Sequence, residues 1–325
     1  HHLAKHRVYT KKVKKFLGPE RNPDEEITQR HYNIAASAQK ILEETVMHLL
    51  QYLYEETKER NLCMAGGVAL NSVMNGRIVR EGPFENIFIQ PAAMDAGCSL
   101  GAAYYIYHAL LNKPRCYLMT HAYLGPKFSR EECRKALEES GLKYDSLSDE
   151  DIAPRTARLL SEGKLVSWFQ GRMEWGPRAL GSRSILADPR NPRMKDIVNE
   201  KIKLREPFRP FAPSMLEEAS PRFFGRNYDA PFMLLVFPVL PERKKEIPAV
   251  IHVDGTARPQ TVNRDINPLY YDLIKEFNKI TGVPVILNTS FNIQEPIVCT
   301  PQDAIATFLK SRMDYLTMEN MLVRR

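Results

Sequence analysis

Arg172-Met173-Glu174-Trp175-Gly176-Pro177-Arg178-Ala179-Leu180-Gly181-Ser182-Arg183-Ser184 follows closely on the apolar run Leu165-Val166-Ser167-Trp168-Phe169. Gly176, Pro177 and Gly181 exclude a helix interior and a central strand from this stretch. The pattern predicts a strand over 164–169 that delivers a shaped loop. Guanidinium groups on such a loop suit bidentate capture of phosphate or carboxylate oxygens, and Arg172, Arg178 and Arg183 supply three. A solvated loop would also carry arginines. Trp175 and Leu180 favour a packed one, because an exposed loop has no use for them.

Toward the C-terminus, three more polar clusters lie on loops after strands or beside Pro-kinked segments. They are 201–209, 256–260, and 288–292 with Glu295. A basic helix over 195–203 leads into the Pro-punctuated Arg205-Glu206-Pro207-Phe208-Arg209-Pro210-Phe211-Ala212-Pro213-Ser214. A strand is expected over 233–239 and another over 284–287, the latter feeding Asn288-Thr289-Ser290-Phe291-Asn292. Helices are expected over 130–140, 155–162, 269–280 and 301–310, with Gly163 and Gly282 as stop signals. Mixed strands and helices of this kind make an α/β domain. No Ser–His–Asp or Cys–His set occurs among the clusters, and no paired carboxylates recur. Positive charge with hydroxyl and amide donors points instead to phosphoryl or adenylyl chemistry, achieved by positioning and charge neutralisation.

Toward the N-terminus, residues 7–30 read as a charged connecting segment. Ile34, Ala38, Ile41, Leu42, Val46, Leu49, Leu50 and Leu53 recur at three- and four-residue steps, which predicts a long amphipathic helix over 34–53. A strand over 61–65 runs into Gly66-Gly67, which opens a helix through Leu70 and Val73. Two glycines there let the backbone approach an anion at a helix N-terminus, with Asn71 on or near the ligand face. A strand over 87–90 precedes Pro91-Ala92-Ala93-Met94-Asp95-Ala96-Gly97 and a small-residue helix over 100–111. Asp95, at a strand end, could hold a divalent metal on a nucleotide or cap the helix that follows. Helix–strand–GG–helix–strand–loop–helix reads as half of an α/β nucleotide-binding lobe, so its first half is expected to be missing. Residues 112–130 read as a linker.

Composition narrows the classes. At 325 residues two domains are expected. No apolar run approaches the roughly 20 residues that span a bilayer. Five scattered cysteines, none in a Cys-x-x-Cys, argue against a disulfide framework or a structural zinc and for a reducing, cytoplasmic setting. A net charge of +7 permits nucleic-acid binding without requiring it. His2 and His6 have the i, i+4 spacing of a two-histidine metal site, and equally the look of a tag remnant.

Taken together, Met64-Ala65-Gly66-Gly67-Val68-Ala69-Leu70-Asn71, the 90–97 segment, 170–184, Phe208-Arg209-Pro210-Phe211-Ala212-Pro213-Ser214 and Asn288-Thr289-Ser290-Phe291-Asn292 resemble the O-carbamoyltransferases of the nodulation and antibiotic-tailoring type. The resemblance runs from about residue 17 to the end. It implies the C-terminal part of an actin-like ATPase (Kae1-like) domain over 1–113, followed by a YrdC-like α/β domain over 114–325. It further implies ATP and carbamoyl phosphate as substrates of carbamoyl-adenylate formation, then transfer to a small-molecule hydroxyl. By the same match Asp95 would be a metal ligand, with iron in the Kae1-like domain and Mg²⁺ with ATP. Gly66, Gly67 and Asn71 would lie near the nucleotide. Arg172, Arg178, Arg183, Lys203, Arg205, Arg209, Thr256, Arg258, Asn288 and Ser290 would line the adenylation site, with Arg178, Arg209 and Arg258 the catalytic group.

Two features depart from the family pattern. Met94 stands where a Gly usually precedes Asp-Ala-Gly. The family's His-x-x-x-His pair belongs to the half expected to be missing, so final transfer is expected to be weak. A homodimer is compatible with the sequence, and neither membrane nor nucleic-acid binding is expected. The alternative is a tRNA threonylcarbamoyl-transfer-related or RNA-binding protein built on the same folds. A hydrogenase-maturation carbamoyltransferase fits less well, because that type has the reverse domain order and zinc-finger cysteines.

Overall fold

The computed structural model describes residues 11–325, so His2 and His6 lie outside the described residues. The described residues pack as two compact units, 11–60 with 81–84, and 61–80 with 85–325. In the first, α1 (Lys11–Leu17) interrupts the expected connecting segment, and α2 (Gln29–Thr57) is the long amphipathic helix. Thr28 caps α2, and Lys58 ends it in the left-handed region at φ 56°. Tyr54 of α2 meets Phe84 edge to face.

The second unit begins with a small lobe. Its strands β1 (Asn61–Met64) and β2 (Asn86–Ile89) pair in parallel. Gly66-Gly67 opens a 3-10 turn, Gly67–Leu70, and the helix α3 (Ser72–Glu81) starts only afterwards. Asn71 is the reason: its side-chain oxygen accepts from the Met74 N–H, capping α3, while Asn75 donates back to the Ala69 carbonyl. The helix after β2 begins at Asp95, five residues before the expected start. It runs as α4 (Asp95–Tyr104) and ends in a π-turn, Tyr105–Leu110.

The rest forms a mixed eight-stranded sheet. Its strands are β3 (Tyr144–Ser146), β4 (Val166–Phe169), β5 (Arg183–Ala187), β6 (Ala212–Leu216), β9 (Gln260–Val262), β10 (Val285–Ser290), β11 (Tyr315–Met318) and β12 (Met321–Arg324); β7 (Phe237–Pro238) and β8 (Thr256–Ala257) pair separately. The order is β3-β12-β11-β4-β5-β10-β6-β9, with β11–β4 and β6–β9 parallel and the other pairs antiparallel. Helices α5 (Arg130–Glu139), α6 (Asp149–Ser161), α7 (Met194–Val198), α8 (Ser220–Phe224), α9 (Pro268–Thr281) and α10 (Pro301–Lys310) accompany it. Both faces of the sheet are covered. Trp168, Leu186 and Ile286 pack with α6 and α9 on one side; Phe169, Ile185, Ala187 and Leu287 join the core of α5, α7 and α10 on the other.

Several expectations are corrected here. Helix α6 starts at Asp149 rather than 155: its acidic first turn suits a helix N-terminus, and Pro154 is tolerated on its exposed side. The basic helix over 195–203 divides into α7 and a π-turn, Asn199–Lys203. The strand expected over 233–239 shrinks to β7, because Met233 takes φ 57° and Val236 is committed to the small lobe. Val236 N–H donates to Ser72 O, and its carbonyl lies where any side chain on Gly76 would collide. The linker expected over 112–130 holds no helix or strand between Leu111 and Ser129. Among the described residues, no helix is long and apolar enough to cross a membrane.

Candidate functional site

The loop between β4 and β5 is packed, as Trp175 and Leu180 suggested. Leu180 and Ala179 are buried, and Trp175 packs with Met119, Ala122 and Met233. Glu174 organises the loop from inside: one carboxylate oxygen accepts the N–H groups of Leu180 (2.7 Å), Ser182 (2.6 Å) and Arg183 (3.3 Å). Burial pushes its pKa up, while those N–H groups and Arg183 oppose the shift. Trp168 Nε1 donates to Gly181 O at 3.0 Å. Gly181, at φ 99°, sits so close against the Tyr270 ring that a side chain would not fit.

The three arginines have three different fates. Arg183 is fully buried, its guanidinium 3.6 Å above the Phe169 ring, and it donates to the carbonyls of Gln170, Ser182 and Gly171. It therefore shapes the loop from within. Arg172 is exposed and donates to Gly125 O at 3.0 Å, tying down the linker. Arg178 is half-buried, its Nε is buried without a partner, and among the described residues no carboxylate pairs with it.

Arg178 lies with Arg258 and Arg205. Burial first, then the charges of Arg178 and Arg205, push the Arg258 guanidinium down to about 9. Arg205 is likewise lowered by burial and by Arg209, although Nε donates to Asn199 Oδ1 at 2.7 Å and the group lies over Phe211. Glu206 offsets part of the charge on Arg205. Like charges that outnumber their counter-ions are costly, and an anion between them removes that cost.

A cavity of about 700 Å³ opens beside this cluster, lined by Lys203, Arg205, Arg209, Ser290 and Asn292 among others. Lys203 is buried and its ammonium donates to Ser290 O (2.7 Å), Asn292 O (2.9 Å) and Asn292 Oδ1 (2.7 Å). Burial, then Arg205, lowers it to about 7. Arg209 is exposed and paired with Glu206 at 2.8 Å. Leu204, between Lys203 and Arg205, takes φ 46°, which turns consecutive basic side chains apart.

Other expected residues play supporting parts. Asn288 lies in the core, donating to Ala179 O, Ser214 Oγ and Gln260 Oε1. Gln260 in turn donates to Leu180 O. Thr256 donates its hydroxyl to Asp254, with His252 Nδ1 2.9 Å away, so the turn before Arg258 is pinned. Glu174, Ser214 and Gln260 lie in the 170–184 and 208–214 motifs and the 256–260 cluster but carried no expected role of their own; the signal for Glu174 was a single acid inside an arginine-rich run.

Gly66, Gly67, Asn71 and Asp95 belong to the small lobe, and none of them lines the cavity beside Lys203. Gly66 has φ 91°, donates to Ala93 O at 2.7 Å, and leaves open space where a side chain would stand. Asn71 is a helix cap and Asp95 an exposed first-turn residue of α4. No group of three His, Cys, Asp or Glu among the described residues could hold a metal, so these residues do not by themselves form an iron site.

The family model described as Carbamoyltransferase C-terminus matches residues 157–325, and that described as Carbamoyltransferase N-terminus matches 2–104. The chain belongs to the carbamoyltransferase family. Nodulation protein NolNO of Sinorhizobium fredii is 44% identical over 92% of this chain and 45% of its own length. An uncharacterized protein of Synechocystis, sll1178, is 46% identical over 95% of this chain and 55% of its own. The chain thus spans about half the length of the curated relatives it matches. A crystal structure of full-length HypF in its phosphate- and nucleotide-bound form aligns at a TM-score of 0.38 and 15% identity, covering 77% of this chain and 40% of that one, too distant to carry an argument.

Proposed function

We propose that this carbamoyltransferase-family chain makes carbamoyl-adenylate from carbamoyl phosphate and ATP, for transfer to a hydroxyl of a small-molecule acceptor. The supporting observation is the Arg178–Arg258–Arg205 group, three cations held together in partial burial with Glu206, beside Arg205, the one carboxylate that acts on them among the described residues. Two polyanionic substrates repel each other, and guanidiniums that keep their charge and clamp paired oxygens allow close approach.

The atom balance requires one water. Carbamoyl phosphate is hydrolysed to carbamate and phosphate; a carbamate oxygen then attacks the α-phosphorus of ATP, and pyrophosphate leaves. In this scheme Arg178 and Arg258 hold phosphate oxygens along the reaction line. Arg205 and Lys203 neutralise the leaving group, and Arg209 at the rim can exchange Glu206 for an incoming anion. The β4–β5 loop excludes water that would otherwise hydrolyse the adenylate.

The finer architecture belongs to the same proposal: Kae1-like over 1–113, YrdC-like over 114–325, in the cytoplasm. Magnesium would accompany ATP. Asp95 offers one ligand to a further metal, and no step is routed through it. The deciding experiment is ATP–pyrophosphate exchange. Exchange that appears only with carbamoyl phosphate is expected; its absence, or exchange indifferent to carbamoyl phosphate, refutes the proposal.

A further inference from the structure

A second cavity, of about 340 Å³, lies between β2 of the small lobe and the β6–β9 edge of the large sheet. It shares no lining residue with the cavity beside Lys203. Its walls are apolar and aromatic. Phe88 and Phe232 meet edge to face with centroids 6.4 Å apart, and Tyr123 stacks on His121 at 5.9 Å. The Tyr123 hydroxyl is spent on Leu180 O at 2.7 Å, so the residue offers the cavity its ring.

The charge of this cavity runs against that of the chain. A protein of net charge +7 lines it with no lysine or arginine and with two carboxylates, Glu217 and Asp229. Glu217 accepts a hydrogen bond from Asn263 at 2.6 Å. Asp229, exposed at the rim, has neither hydrogen bond nor ion pair among the described residues. Partial burial and the nearby Glu217 charge raise its pKa, so a cation placed beside the two carboxylates would relieve their repulsion. Aromatic faces beside it favour a cation as well.

We propose that this cavity binds a compact organic ammonium, its apolar body among Phe88, Phe232 and Tyr123 and its charged nitrogen against Asp229 and Glu217. A neutral ligand of the same shape would leave Asp229 unpaired, and an anion would meet two like charges. Leu180 of the β4–β5 loop forms part of this cavity's wall, although it shares no lining residue with the cavity beside Lys203.

Titration of the full chain with tryptamine and with tryptophol, which carries a neutral hydroxyl in place of the amine, tests this. Calorimetry should give a saturable tryptamine site at least about ten-fold tighter than tryptophol. In Asp229→Asn the preference should fall to about two-fold, with tryptophol affinity unchanged as the check on folding. Glu217→Gln should lower the preference in the same direction. Equal binding of the two ligands by the wild-type chain would mean that only apolar shape is read, and would overturn the proposal. No saturable tryptamine binding, or a preference that survives both substitutions, would overturn it too.

Discussion

The inner and outer sides of the β4–β5 loop carry the same residue type to opposite ends. Arg183 and Glu174 face inward. Arg183 ends on three carbonyl groups and an aromatic ring, and Glu174 accepts three backbone N–H groups. Arg178 lies near Arg258 instead, and among the described residues neither a carboxylate nor a carbonyl group takes its guanidinium. The Nε of Arg183 is unpartnered, like that of Arg178, so the contrast lies in its terminal nitrogens, which reach three carbonyl groups. A charge held by the fold stabilises it, whereas one the fold does not hold awaits a ligand. Hydrogen-bond satisfaction, and not proximity in sequence, separates a structural arginine from a binding one.

The largest effect should come from the outer side. Arg178→Ala or Arg258→Ala should cut carbamoyl phosphate-dependent ATP–pyrophosphate exchange by roughly 10²- to 10³-fold. The thermal midpoint should hold or rise, because no hydrogen bond of Arg178 or Arg258 is lost and like-charge repulsion is relieved. A marked fall in that midpoint would break the distinction between the two sides. On the inner side, Arg183→Ala should cost about 3 kcal/mol in urea unfolding, and Glu174→Ala a similar amount, since each strands buried polar groups. Arg183→Ala at wild-type stability would move Arg183 out of the structural class.

Lys203 sharpens the comparison because it belongs partly to both sides. Its ammonium is hydrogen-bonded, yet burial lowers it to about 7 from the ordinary lysine value of 10.5. Between those values the unfolded chain binds more protons, so stability should rise with pH from about 7 toward 10.5. Lys203→Met should flatten that rise in urea titrations at several pH values. An anion bound nearby should restore the charge, taking up about half a proton near pH 7, readable by calorimetry in buffers of different ionisation enthalpy. No proton uptake would place the anion away from Lys203. The smallest effect is expected for Arg172→Ala. Its single contact, to Gly125 O, should be worth under about 1 kcal/mol, with exchange within about two-fold of wild type.

Elements with strong end signals were legible in the sequence. Helix α9 begins at a capping Asn267 and ends at Gly282 in the left-handed region; α10 opens with a Thr300 capping box and Pro301. Strands β5, β6, β11 and β12 were not. They are buried almost throughout, so they show no apolar–polar alternation, and Pro213 in β6 argues locally against a strand. At the site, the nearness of Arg178, Lys203, Arg205 and Arg258 could be anticipated from three basic loop clusters. The inward turn of Arg183 could not, because its acceptors are carbonyl groups of the loop itself and leave no trace in side-chain chemistry. Asn288 illustrates the same limit: its Nδ2 bridges Ala179, Ser214 and Gln260, which the sequence did not foretell, while its Oδ1 is buried without a partner.

Titration of pyrophosphate into the wild-type chain and into Arg178→Gln, Arg258→Gln and Arg183→Gln tests the central distinction most directly. Saturable binding by the wild type, weakened about ten-fold or more by each of the first two substitutions, is the expected result. Stability rather than affinity should fall in Arg183→Gln. Undiminished binding in both Arg178→Gln and Arg258→Gln would contradict the assignment of the unpartnered arginines as the anion site.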